Sequence, residues 1–124
     1  MIKMRSIFCV LLMIFGFTNC ISQEKIKSIT TIELKALLVK EEIQLLDVRS
    51  PKEIAQGFIK TAKFANYFDD DFFEQASKQL DKNKTVYLYC RSGNRSGKSA
   101  KILQGKGFDV INVLGGFNQW KKEN

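Results

Sequence analysis

The chain has 124 residues, 44% hydrophobic and 27% charged, with twenty basic against thirteen acidic residues, a formal charge of +7, three cysteines and no histidine. That is material for one small domain, and the missing histidine excludes a Ser-His-Asp triad, a Cys-His dyad and any imidazole metal ligand or general base. The basic residues are scattered rather than clustered, so the positive total does not point to a nucleic-acid partner.

Residues 1–22 differ in kind from the rest. Lys3 and Arg5 precede an uncharged apolar run from Ile7 to Phe17, about the length of a signal-peptide core, shorter than a membrane span and without the polar face of a buried helix. We therefore expect an exported protein. Phe17-Thr18-Asn19-Cys20 resembles a bacterial lipobox, which would make 1–19 the leader and Cys20 the acylated, membrane-attaching first residue. Phe17 and Asn19 depart from the usual residues of that motif. Cys20-Ile21-Ser22 equally suits an ordinary signal peptidase and a soluble periplasmic product. Under both readings Cys9 is lost and Cys90 is left without a disulfide partner in an oxidising compartment.

Beyond the leader, one domain over 26–123 is expected. A short strand at 26–30 leads into Thr30-Thr31-Ile32-Glu33, a capping box opening a helix through Leu38. Residues 43–48, IQLLDV, read as a strand buried on both faces and ending in an acid. Ser50-Pro51-Lys52-Glu53 then supplies an N-cap, a proline at the first helical position and a capping glutamate, with Gly57 as the stop. A weak strand at 62–65 precedes a helix expected over 70–80. Asp69, Asp70 and Asp71 at its start suit the helix dipole better than a metal, since successive residues diverge around a helix.

A second apolar strand at 86–89, a helix at 96–104 ended by Gly105 and Gly107, a strand at 110–113 and a short helix carrying Trp120 complete the chain. Strands alternating with helices predict an α/β domain with a mostly parallel sheet of about five strands, and functional groups at the carboxyl ends of the strands.

Two strand ends stand out, Asp47-Val48-Arg49 and Cys90-Arg91. The segment Cys90-Arg91-Ser92-Gly93-Asn94-Arg95-Ser96-Gly97 places a cysteine between a strand and a helix N-terminus, with two glycines and two arginines in the turn. Converging backbone N–H groups and the positive end of a helix stabilise a thiolate, so the activation that histidine would provide has a local substitute.

With Leu46-Asp47-Val48-Arg49-Ser50-Pro51-Lys52-Glu53, Gly57-Phe58-Ile59, the loop Cys90–Ser96, Gly107-Phe108, Leu114-Gly115-Gly116 and Trp120, the chain resembles a rhodanese domain, the sulfurtransferase family, over residues 29–121. The exported single-domain layout is similar to that of the small periplasmic rhodaneses of the phage-shock kind. The resemblance implies a three-layer α/β/α fold, no cofactor and no metal, and a persulfide on Cys90. The backbone of Arg91, Ser92, Gly93, Asn94, Arg95 and Ser96 would cradle the anionic sulfur, with Arg91 and Arg95 orienting a small anionic sulfur donor such as thiosulfate or a polysulfide. A thiol or cyanide would accept the sulfur. Asp47 and Arg49 match the family's acid-and-arginine pair, and Arg49 is expected to pair with Glu53 and brace the site.

Phe58 stands where the family usually has histidine, and Lys60-Thr61 where it usually has Pro-Gly. Two alternatives remain. Cysteine-dependent phosphatases and arsenate reductases use a related loop with five residues between cysteine and arginine, but here four separate Cys90 from Arg95 and Ser96 takes the arginine's place. A persulfide carrier or regulatory module would keep the same cysteine without turnover.

Overall fold

The computed structural model of the protein describes residues 24–124, so the expected leader, with Cys9 and Cys20, lies outside the described residues. In chain order the elements are β1 (Lys27–Ile29), α1 (Thr31–Lys40), β2 (Gln44–Asp47), α2 (Pro51–Ile54), β3 (Lys63–Phe64), α3 (Phe72–Ser77), β4 (Val86–Tyr89), α4 (Asn94–Gly105), β5 (Val110–Val113) and α5 (Gly116–Glu123). The strands form one sheet in the order β1-β5-β4-β2-β3, with every pairing parallel.

Alternation along the strands divides the core into two halves. Leu46, Val48, Val86, Leu88 and Cys90 pack with Phe72, Ala76, Ala100 and Leu103 of α3 and α4. Leu45, Tyr89 and Val113 pack on the opposite face with Leu34, Phe117 and Trp120 of α1 and α5. This is the expected three-layer α/β/α arrangement, and each fully buried leucine contributes about 2 kcal/mol of transfer free energy. β2 opens on a polar residue: Gln44 is buried, and its amide both donates to Asp81 O and accepts from Asp81 N, tying down the turn before β4. A buried amide is tolerated because both its ends are satisfied.

Both predicted capping boxes are formed, by Thr30 with Glu33 and by Ser50 with Glu53. The differences from the sequence reading are local. The helix expected over 70–80 is confined to Phe72–Ser77, and Gln75 Nε2 donates to both Asp69 and Asp71, so those two acids hold a turn. The helix expected from Ser96 begins at Asn94, because Gly93, with φ +109°, supplies the left-handed residue that turns the chain straight into α4.

Topology positions the site. From β2 the chain moves to β3 at one edge, and from β4 it moves the other way to β5, so the connections diverge between neighbouring strands β2 and β4. Asp47 is in register with Tyr89, which brings the carboxyl ends of both strands to one level. Such a switch point opens a crevice beyond the strand ends.

Candidate active site

Cys90 is the residue after β4, directed toward the α4 side of the sheet and 1% exposed. Among the described residues it is the free cysteine. Gly93 N donates to its Sγ at 3.1 Å, and Ser96 Oγ lies 3.4 Å from the same sulfur. The first backbone bond of the helix is Gly97 N to Gly93 O at 3.1 Å, so the N–H groups before it have no helical acceptor and are available to the sulfur. Burial opposes ionisation of the thiol. Hydrogen bonds from the Ser96 hydroxyl and from the backbone N–H groups of Ser96, Gly93 and Ser92 outweigh it and hold Cys90 below the ordinary thiol range. Backbone and hydroxyl donors therefore supply the larger share of the stabilisation, and the charge of Arg95, which interacts with Cys90, adds to it.

The loop is held from β5 and α5. Asn112, half-way along β5, donates from Nδ2 to Gly93 O at 3.1 Å and accepts from Ser96 Oγ at 2.6 Å. Phe117 N donates to Cys90 O at 2.8 Å and Asn118 N to Arg91 O at 3.0 Å, so the first turn of α5 binds the loop's carbonyls. This approach needs Gly116: a Cβ there would sit 2.5 Å from Cys90 O. Asn112 was missed at the sequence level. Its signal was a lone amide within the apolar strand VINV.

Arg49 does not pair with Glu53 as the sequence reading expected. Asp47 lies on the α1/α5 face and accepts from the Arg49 backbone N–H at 3.0 Å, folding the arginine back onto it; Arg49 Nη2 reaches Asp47 Oδ2 at 2.7 Å. The guanidinium rests 4.3 Å from the Phe117 ring centroid and donates to Gly57 O at 2.8 Å. Burial opposes its charge, but Asp47 more than compensates and raises the Arg49 pKa. Tyr89 shares this face, and its hydroxyl accepts from Ile59 N at 3.0 Å. The pair thus braces the turn after α2 and the base of α5.

Glu53 instead meets Arg95, with Nη1 and Nη2 each 2.8 Å from one carboxylate oxygen. The same carboxylate accepts the Ser50 backbone N–H in the capping box. The Arg95 hydrogen bonds, partly opposed by burial and reinforced by Ser50, hold its pKa at about 2. Arg95 also lies 5.2 Å from the ring centroid of exposed Phe68. With its fork occupied, Arg95 acts as a strut and leaves Arg91 as the exposed cation of the loop. Ser92 and Asn94 are exposed at the mouth.

Phe58, in place of histidine, is 49% exposed and packs edge-on to Phe64 with ring centroids 5.1 Å apart. Thr61, in place of glycine, keeps a left-handed backbone with φ +75°. A separate cleft of about 850 Å³, lined by Leu38, Ile43, Leu45, Ile59 and Trp120 among others, opens at the amino ends of β2 and β4 and includes none of the loop residues.

The family model for the rhodanese-like domain matches residues 30–123. YtwF of Bacillus subtilis is 38% identical over 100 residues, covering 80% of this chain and 94% of YtwF. Thiosulfate sulfurtransferase GlpE of Coxiella burnetii is 31% identical over 96 residues, covering 77% and 87% respectively. Among solved structures, a rhodanese-like domain protein from Staphylococcus aureus is 38% identical with a TM-score of 0.70, over 77% of this chain and 91% of that one.

Proposed function

This chain belongs to the rhodanese-like domain family, and from that premise we propose that it is a sulfurtransferase that carries sulfane sulfur as a persulfide on Cys90. The observation that carries the reading is the set of hydrogen-bond donors around one buried sulfur: Gly93 N–H at 3.1 Å, the Ser96 hydroxyl at 3.4 Å and the N–H groups of Ser92 and Ser96. The backbone N–H donors, fixed before the reaction, stabilise charge on sulfur without reorganising.

The Cys90 thiolate attacks the outer sulfur of thiosulfate. A Cys90 S–S bond forms, the donor's S–S bond breaks, and sulfite leaves with the bonding pair, so the cysteine carries S–S⁻. Cyanide or a thiolate then attacks the terminal sulfur, becoming thiocyanate or a persulfide and returning Cys90 as thiolate. Charge is conserved in both steps. No imidazole is required, because neither step transfers a proton at sulfur once the thiol is ionised. Arg91, exposed at the mouth, attracts the dianionic donor, while low exposure of Cys90 favours small donors. The terminal sulfur lies about 2 Å further out, along one S–S bond, where an acceptor can reach it.

Intact mass after thiosulfate treatment tests the reading. Wild type should gain one sulfur, about 32 Da, and lose it to cyanide, while Cys90→Ser should gain nothing. Equal masses for both proteins would sink the proposal. Loading without catalytic turnover would instead indicate a stoichiometric carrier.

We also propose export, with Cys20 as the lipidation site, on the strength of Lys3, Arg5, the apolar run that follows them and Phe17-Thr18-Asn19-Cys20. Recovery in the membrane fraction with a lipid-sized mass increment, abolished by Cys20→Ala, would support it. A soluble periplasmic product cleaved after Ser22 would replace acylation with simple secretion.

A further inference from the structure

The Ser96 hydroxyl has two neighbours that accept and one proton to give. Asn112 Oδ1 is 2.6 Å away and Cys90 Sγ 3.4 Å away. The orientation of the Asn112 amide is not free. Its other end lies 3.1 Å from Gly93 O, and a carbonyl can be met there only by the Nδ2 donor, so Oδ1 must face Ser96. Asn112 and Ser96 are both buried, so no bulk water substitutes for a missing partner.

We propose that Asn112 is a positioning residue that holds the Ser96 hydroxyl away from the resting thiol, and that this hydroxyl swings to the sulfur when Cys90 becomes anionic. In the neutral site the Cys90 S–H donates to Ser96 Oγ, Ser96 O–H donates to Asn112 Oδ1, and Asn112 Nδ2–H donates to Gly93 O. On ionisation the thiol proton leaves to solvent, Ser96 O–H turns to donate to Sγ, and Asn112 Oδ1 gives up that bond while Nδ2 keeps its hold on Gly93. The same turned state serves a persulfide anion. Asn112 thus competes with the sulfur for one proton, and the competition sets how readily Cys90 ionises. The rotation needs only a hydroxyl torsion, within a loop whose backbone is already clamped by Phe117 N and Asn118 N.

Other charged groups around the sulfur stay in place during this exchange. They are Arg91 in the loop, Arg95 of α4 with its partner Glu53 of α2, and, on the opposite face of the sheet, the Asp47–Arg49 pair at the end of β2. Tyr89, the preceding residue, is turned to the opposite face and bonded to Ile59 N.

The role of the pair deepens the sulfurtransferase reading, but its test needs no sulfur donor. Thiolate absorbance is followed against pH in wild type, Asn112→Leu, Ser96→Ala and the double variant. Freeing the hydroxyl in Asn112→Leu should raise the thiolate-to-thiol ratio about tenfold at fixed pH, and Ser96→Ala should lower it by a similar factor. In the Ser96→Ala background the Asn112 substitution should have no further effect. A fall or no change in Asn112→Leu, or an equal change without Ser96, would mean that Asn112 only supports the loop and would overturn the proposal.

Nuclear magnetic resonance of the wild-type protein covers the case in which Asn112→Leu fails to fold. The Asn112 side-chain amide should titrate together with Cys90 in wild type and not in Ser96→Ala; an amide signal indifferent to Cys90 ionisation would refute the exchange. Persulfide formation is scored separately, so the hydroxyl exchange can fail while sulfur transfer stands, or stand while transfer fails.

Discussion

Glu53 and Arg95, forty-two residues apart, are joined through both oxygens and both terminal nitrogens at 2.8 Å each. The contact ties the first turn of α2, which follows β2, to the first turn of α4, which follows β4. It therefore closes the crevice at the switch point from one side, while the Asp47–Arg49 pair supports the other face of the same strand ends.

Glu53→Gln should keep the capping contact and lose the ion pair. Breaking a half-buried bidentate pair costs on the order of 1–2 kcal/mol after solvent screening, read as a lower denaturant midpoint with unchanged slope. The released Arg95 should also loosen the Cys90 loop, lowering the rate of persulfide formation in the same variant.

The depressed Glu53 pKa gives acid stability a definite direction. Its folded value of about 2 lies below the ordinary 4.5, so its contribution is present in full above about pH 4.5 and is lost as pH falls toward 2. Urea unfolding from pH 6 to pH 2.5 should show wild type losing more stability than Glu53→Gln. Parallel curves would assign acid sensitivity to other carboxylates.

Gly93→Ala isolates backbone conformation from packing. A Cβ at Gly93 would meet nothing closer than 3.6 Å, yet φ of +109° is unfavourable for any L side chain. We expect about 1–3 kcal/mol of destabilisation together with a smaller thiolate fraction, because the Gly93 N–H that contacts the sulfur moves with the strained residue. Unfolding and thiolate absorbance measure the two effects separately.

Thr61→Gly should do the reverse. A β-branched residue at φ +75° carries about 1–2 kcal/mol of strain, of which the added flexibility of glycine in the unfolded chain cancels roughly half. A gain of about 0.5–1 kcal/mol in unfolding free energy, with unaltered reactivity at Cys90, is the expected outcome.

Arg91→Ala should leave the thiolate fraction nearly intact and reduce kcat/KM for thiosulfate roughly tenfold, with the difference shrinking at high salt. Arg91 is exposed while Arg95 is engaged by Glu53, so the salt-dependent loss belongs to Arg91. An equal, salt-independent loss in both arginine variants would show that their role is structural.

The order of elements, both capping boxes, the doubly buried β2 and the Cys90 turn were legible in the sequence because each is written in neighbouring residues: apolar periodicity, Ser or Thr three before Glu, glycine before a helix start. Partners across the fold were not. Arg49 was expected to reach Glu53, four residues on, but pleating points Asp47 and the folded-back Arg49 at α5, while the register of Asp47 with Tyr89 delivers Arg95 to Glu53. Likewise Asn112 read only as an odd amide in an apolar strand, until β5 was placed beside β4 and under the loop. Residue types and spacing determined that a thiol would stand at a strand end before a helix, with donors around it. Which donors face the sulfur, which arginine is left exposed and which side chain competes for the Ser96 proton were decided by tertiary structure, because hydrogen bonds and ion pairs depend on ångström distances that only strand register and helix packing set.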